Sequence, residues 1–184
     1  MATNYFKGGD KVRVILEKAV ANMDKASQVA VGFLEGATEE DGTSIPFIAA
    51  VQNFGAPKVG IPPRPFFSNM VQQNMGNWGG MVAALMQHND YDAVEVLGRM
   101  GEEIKGELQA SIKATNEPGL SKTTLMLRQM KADDPSLRDR MSYRVVQEAR
   151  ARVAAGKPYE STGTAAKPLV DTGTMQSSVD YEVS

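Results

Sequence analysis

Ser178-Val179-Asp180-Tyr181-Glu182-Val183, near the end of the chain, alternates apolar and acidic side chains. A strand turns successive side chains to opposite faces, so Val179, Tyr181 and Val183 share one face and Asp180 and Glu182 the other, the pattern of a half-buried strand. Near the start, Gln28-Val29-Ala30-Val31-Gly32-Phe33-Leu34 reads as a second strand, with Val29, Val31 and Phe33 on one face and Ala30, Gly32 and Leu34 on the other. The chain between them reads as mostly helical, so the expected fold class is α+β: a small antiparallel or mixed sheet packed against several helices. Two strands alone are marginal in water and need helix cover or strands from a neighbouring copy. Val179, Tyr181 and Val183 are accordingly candidate assembly residues, pairing within the sheet or across subunits.

Asp10 caps a helix running to about Lys25, whose stripe of Val12, Leu16, Ala19 and Met23 is broadened by Ile15 and Val20. This helix is expected to cover one face of the first strand. Pro46 opens a short buried helix ending at Gly55, with Phe47, Ala50, Val51 and Phe54 on one face. Phe66 to Met86 forms another, weakened by Gly76, Gly79 and Gly80. Asp90 or Asp92 caps the most regular helix, which runs to Lys113 on a stripe of Leu97, Met100, Ile104, Leu108 and Ile112. Its interior Gly98, Gly101 and Gly106 each cost about 1 kcal/mol relative to alanine and point to close contacts. Ser121 caps a turn running through Leu125 to Met130. Asp134-Pro135 opens a helix to about Ala155 that carries Arg138, Arg140, Arg144, Arg150 and Arg152. Residues 1–9 and 156–167 are polar and glycine-bearing and are expected to be mobile, within a single domain over residues 1–184.

Between two of these helices stands Gly60-Ile61-Pro62-Pro63-Arg64-Pro65-Phe66-Phe67, preceded by Phe54-Gly55-Ala56-Pro57. Pro62, Pro63 and Pro65 fix φ and remove backbone donors, so this elbow runs extended without a sheet ladder on both sides. Pro65 stands at the mouth of a helix, where proline costs nothing. Arg64, held between prolines, and the Phe66-Phe67 pair suit an anchored joint with an aromatic plug. Arg64, Pro65, Phe66 and Phe67 are therefore candidate assembly residues, although a plain loop-to-helix entry with a buried phenylalanine pair fits the same letters.

The composition excludes several chemistries. The chain of 184 residues has no cysteine, so disulfides, thiolate metal sites and thiol catalysis are absent. Its formal net charge of -2 gives no global attraction to nucleic acid or an anionic membrane. No apolar run has transmembrane length, and Met1-Ala-Thr-Asn lacks signal-peptide shape, so synthesis in the cytoplasm is expected. The lone histidine lies in His88-Asn89-Asp90-Tyr91-Asp92. His88, Asp90 and Asp92 could hold a metal for a cytosolic hydrolase, but an exposed loop is the simpler reading. The acidic turn Glu39-Glu40-Asp41-Gly42 lacks the regular oxygen spacing of a calcium loop. Asp171-Thr172-Gly173 matches aspartic proteases in letters only; a cap and turn are expected there. The arginine-rich helix could bind DNA, though arginines on a solvated helix read the same way. No cofactor is expected.

Three stretches carry a resemblance. Ala49-Ala-Val-Gln-Asn-Phe-Gly-Ala-Pro57 followed by Ile61-Pro-Pro-Arg-Pro-Phe-Phe67 is one; Gly119-Leu-Ser-Lys-Thr-Thr-Leu125 is the second; Lys167-Pro-Leu-Val-Asp-Thr-Gly-Thr-Met-Gln-Ser-Ser-Val179 is the third. In this order they resemble the neck and tail-completion (virion morphogenesis) proteins of tailed bacteriophages, over roughly Gln28 to Val183. Residues 126–166, with the basic helix and the flexible segment, depart from that pattern as an insertion. The resemblance implies a non-enzymatic protein of the head–tail junction that forms a homo-oligomeric ring of six or twelve copies. Its partners would be other neck, connector and tail proteins, with DNA passing through the ring lumen and no membrane. The protein would end in the virion.

Overall fold

The computed structural model describes residues 9–33, 35–39, 42–138, 140–160, 162–170 and 173–184. Residues 1–8 of the arm expected over 1–9, the strand end at Leu34, Glu40 and Asp41 of the acidic turn, and Asp171 and Thr172 lie outside these residues, while Gly9 already belongs to the first helix. The fold is α+β. In chain order it runs α1 (Gly9–Met23), β1 (Val29–Phe33), α2 (Ile45–Phe54), α3 (Phe66–His88), α4 (Ala93–Ala114), α5 (Lys122–Asp133), α6 (Tyr143–Ala154), α7 (Thr174–Ser177) and β2 (Val179–Val183). No helix among the described residues is long and apolar enough to cross a membrane.

The two strands pair with each other. Gln28 and Ser184 exchange backbone bonds at 3.0 and 3.1 Å, which sets them opposite one another in an antiparallel register. Continuing that register places Val29, Val31 and Phe33 on the same face as Val183, Tyr181 and Val179. The C-terminal strand thus finds its partner inside the chain.

Contacts gather the chain into two compact units. One comprises Met1–Gly32, Gln72–Lys105 and Asp180–Ser184, the other Phe33–Val71 and Gly106–Val179. In the first, Asp92 caps α4 by accepting from the Glu95 amide at 3.3 Å. The expected stripe of α4 is buried at Met100 and, in the second unit, at Leu108 and Ile112. Gly101 shows why a glycine stands inside this helix: an added Cβ would clash with the ring carbons of Tyr181. Gly98 and Gly106 have open space instead. Lys105 ties the same strand down, donating to Asp180 at 3.0 Å and lying 5.8 Å from the Tyr181 ring centroid. Gly101→Ala is expected to destabilise the chain by about 1–2 kcal/mol, overpacking outweighing the gain in helix propensity. Urea unfolding checks this, and a stabilised variant would refute the ring contact.

Helix α1 corrects an expectation. It forms nearly where its periodicity places it, but Val12, Ile15, Leu16, Val20 and Met23 all face solvent, and Ala30 of β1 is exposed too. The stripe therefore covers no face of the sheet. Polar bonds hold the helix by its other edge. Lys18 pairs with Asp90 at 3.2 Å, Asn22 donates to the Asp90 carbonyl at 2.9 Å, and Lys25 pairs with Asp92 at 2.7 Å.

In the second unit, Ser121 caps α5 by accepting from the Thr124 amide at 3.1 Å. Helices α5 and α6 pack around Met126, Met130 and Ala149, flanked by Leu127, Leu137, Val145, Val153 and Tyr159. Two expectations change here. Asp134 caps only the single 3₁₀ turn Pro135–Leu137, accepting from the Ser136 amide at 3.0 Å, and α6 begins separately at Tyr143. The segment after α6 is fastened to α5, with Tyr159 in the cluster and the Glu160 amide donating to Gln129 at 3.2 Å.

Candidate functional site

The elbow is built from α2 outward. Ser44 caps α2, accepting from the Phe47 amide at 3.4 Å, and Pro46 occupies its first turn. The helix is apolar nearly all round, so its periodicity does not choose an inner face. The core takes Ile45, Ala49 and Asn53, leaving Phe47 and Phe54 exposed, the latter by 73%. The expected burial of the Phe47–Phe54 face is thus reversed.

Gly55 ends α2 at φ 75 and ψ 170, its amide donating to the Val51 carbonyl at 2.8 Å. Ala56 and Ile61 then exchange bonds at 2.8 and 3.1 Å. They close a small loop over the 3₁₀ turn Pro57–Val59 and Gly60. The elbow is therefore folded back at its start, and it turns again at Pro65, where the Phe66 amide donates to the Arg64 carbonyl at 2.7 Å. Arg64 donates its backbone amide to the Gln52 carbonyl at 2.7 Å, and Pro65 supplies the carbonyl for the first bond of α3, from Asn69 at 2.8 Å.

The Arg64 side chain is 5% exposed. Nε donates to the Pro118 carbonyl at 2.8 Å, Nη1 to Gln52 Oε1 at 2.9 Å, and Nη2 to the Gly119 carbonyl at 3.3 Å. No carboxylate among the described residues pairs with it. Burial lowers its pKa from the ordinary arginine value, and the nearby Arg128 charge lowers it further. The guanidinium fork therefore clamps the turn before α5 to the end of α2, through three acceptors that a single charged point could not meet together. Two of the three resembling stretches, the elbow and the Gly119 segment, are joined by this one side chain.

Asn53 is the residue that sequence reasoning missed. It is buried, and its Oδ1 accepts from the amides of Phe67 and Ser68 at 3.0 and 3.2 Å while Nδ2 donates to Ser68 Oγ at 3.0 Å. It thus caps α3 from another helix, satisfying amides that the helix itself cannot. The available signal was the polar pair Gln52-Asn53 near the end of an otherwise apolar helix, just before Phe-Gly. Phe66 is fully buried, edge-on to Phe33 at 6.2 Å, and its carbonyl accepts from Ser111 Oγ at 2.7 Å. Phe67 is half-buried.

The other candidates separate. Val179 is buried in the sheet, with Tyr181 and Val183 half-buried. His88 is exposed, whereas Asp90 turns to Lys18 of α1 and Asp92 to Lys25 just beyond that helix. The hydrogen bond from Lys25 is the main cause holding the Asp92 carboxyl below its ordinary value. Among the described residues no group of three side chains is arranged to hold a metal ion. Gln52, which orients Arg64, also lines a cleft of about 740 Å³ with Ile48, Leu125, Arg128, Leu169 and Met175. Comparison with protein-family models, with curated proteins and with solved structures found no match.

Proposed function

We propose that this chain is a non-enzymatic structural protein of a tailed-phage virion, made in the host cytoplasm. In this reading it is a neck or tail-completion subunit. It assembles with copies of itself as a ring of six or twelve at the head–tail junction, between head connector and tail tube, with DNA passing through the lumen. The observation that carries this reading is α1, a helix whose apolar stripe stands in water, Ile15 by 67%. A contiguous exposed apolar surface of this kind marks a contact with another protein.

A closed ring of heterologous contacts needs two different surfaces on each copy. The second unit exposes another apolar set: Phe47 and Phe54, two turns apart on α2, and Val59 in the loop that follows. Arg64 and Asn53 hold that loop and helix rigid, so little freedom is lost when a neighbour docks. The resembling stretches supply the choice of assembly, and the exposed surfaces supply the means.

Purified wild-type chain is expected to run as a large particle on sizing and to show rings in negative stain. Ile15→Glu with Leu16→Glu is expected to give a folded monomer, because charge on the stripe forbids its burial. A wild-type chain that stays monomeric at all concentrations would end this proposal.

A further inference from the structure

We infer that α6 presents a contact surface for the phosphate backbone of duplex DNA. From residue 140 to residue 157 the chain carries five cations, Arg140, Arg144, Arg150, Arg152 and Lys157, against the single carboxylate Glu148. Arg152 is paired with Glu148. Arg140, Arg144, Arg150 and Lys157 are exposed, and their side chains make no hydrogen bond or ion pair with the described residues. Two uncompensated charges on α6 and two more close to its ends are costly to keep together unless a polyanion meets them.

The helix geometry suits such a ligand. At about 1.5 Å rise and 3.6 residues per turn, Arg144 and Arg150 stand about 9 Å apart along the axis, on either side of the solvent face. Ala151 and Ala154 follow further along the axis, within the arc that separates the two arginines around the helix, exposed and small enough to let a phosphate backbone approach. Tyr143, 76% exposed on the same face, offers a hydroxyl to a phosphate oxygen.

Two other polyanionic partners fit less well. Single strands are held by several stacking aromatic rings, and Tyr143 is the one exposed aromatic side chain of α6; Tyr159 is packed into the core behind it. A membrane surface needs an apolar helix face, and Ala149, Val145 and Val153 are already turned to α5. Duplex DNA asks only for phosphate contacts, which this surface supplies.

The test measures binding of the full chain to a 30-base-pair duplex of random sequence between 50 and 200 mM NaCl. Four phosphate contacts predict a slope of log affinity against log salt of about −3.6 for each copy engaged, or roughly a 100-fold loss over that range. Arg144→Gln with Arg150→Gln is expected to halve the slope, whatever number of copies binds. Arg99→Gln, which removes a paired arginine from α4, is expected to leave it unchanged. Circular dichroism confirms the folding of each variant. The inference is overturned by absence of binding at 50 mM, by an unchanged slope in the double variant, or by an equal loss with Arg99→Gln. Tighter binding of a 30-nucleotide single strand or of phosphatidylserine vesicles would overturn it as well. The ring is not required, so a monomeric chain that binds duplex in this way would refute the assembly reading alone.

Discussion

Arg64→Lys is expected to destabilise the folded chain by about 3 kcal/mol, nearly as much as Arg64→Ala, because hydrogen bonds from a charged donor are worth about 1.5–3 kcal/mol each. The guanidinium meets Pro118, Gln52 and Gly119 in three directions, and an ammonium can reach one or two of them. Either substitution takes the guanidinium fork away from its acceptors on Pro118, Gly119 and Gln52 and frees the turn before α5 from the end of α2. Urea unfolding of both variants reads the loss, and sizing reads its consequence for assembly. An exposed loop arginine would change stability by no more than about 0.5 kcal/mol. A result in that range for Arg64→Ala would mean that the elbow is held by its prolines alone.

Gly55→Ala is expected to cost about 3–4 kcal/mol, from two sources that add. The backbone at φ 75 and ψ 170 lies in a region nearly closed to side-chain-bearing residues, a strain of about 1–3 kcal/mol. An added Cβ would also lie 2.8 Å from the Pro63 nitrogen and 3.0 Å from the Ile61 carbonyl oxygen, both backbone atoms of the proline run. Neither can swing aside as a side-chain tip would. Gly60→Ala is the internal control. Gly60 is left-handed at φ 75 and ψ 23 with open space around it, so only the conformational cost of about 1–2 kcal/mol applies. Equal losses at the two glycines would show that the close approach at Pro63 contributes nothing.

Both results bear on assembly through rigidity. The exposed Phe54 is one residue from Gly55, and Val59 lies in the loop that Ala56 and Ile61 close. Loosening either anchor should weaken docking of a neighbour beyond the loss of monomer stability, since the loop would then have to be ordered on binding.

The sequence by itself determined what depends on local pattern. The alternation over Val179–Val183, the 3.6-residue stripe of α4, the Ser121 cap and the rigidity of the proline run all follow from neighbours along the chain, whereas the choice of Asp92 over Asp90 as the cap of α4 needed the structure. The partner of β2, the reason for Gly101 and the acceptors of Arg64 are contacts between residues distant in sequence, and periodicity carries no information about them. Composition also misled where it was least directional. A helix apolar on most sides, such as α2, does not say which face the core will take, and the structure turns Ile45, Ala49 and Asn53 inward, where Asn53 caps α3, and the phenylalanines outward. In α1 the stripe was legible but its burial was not, because amphipathicity states that a face seeks cover without saying whether the same chain provides it. Tertiary structure decided that it does not: the cores form without those side chains, leaving the stripe in water.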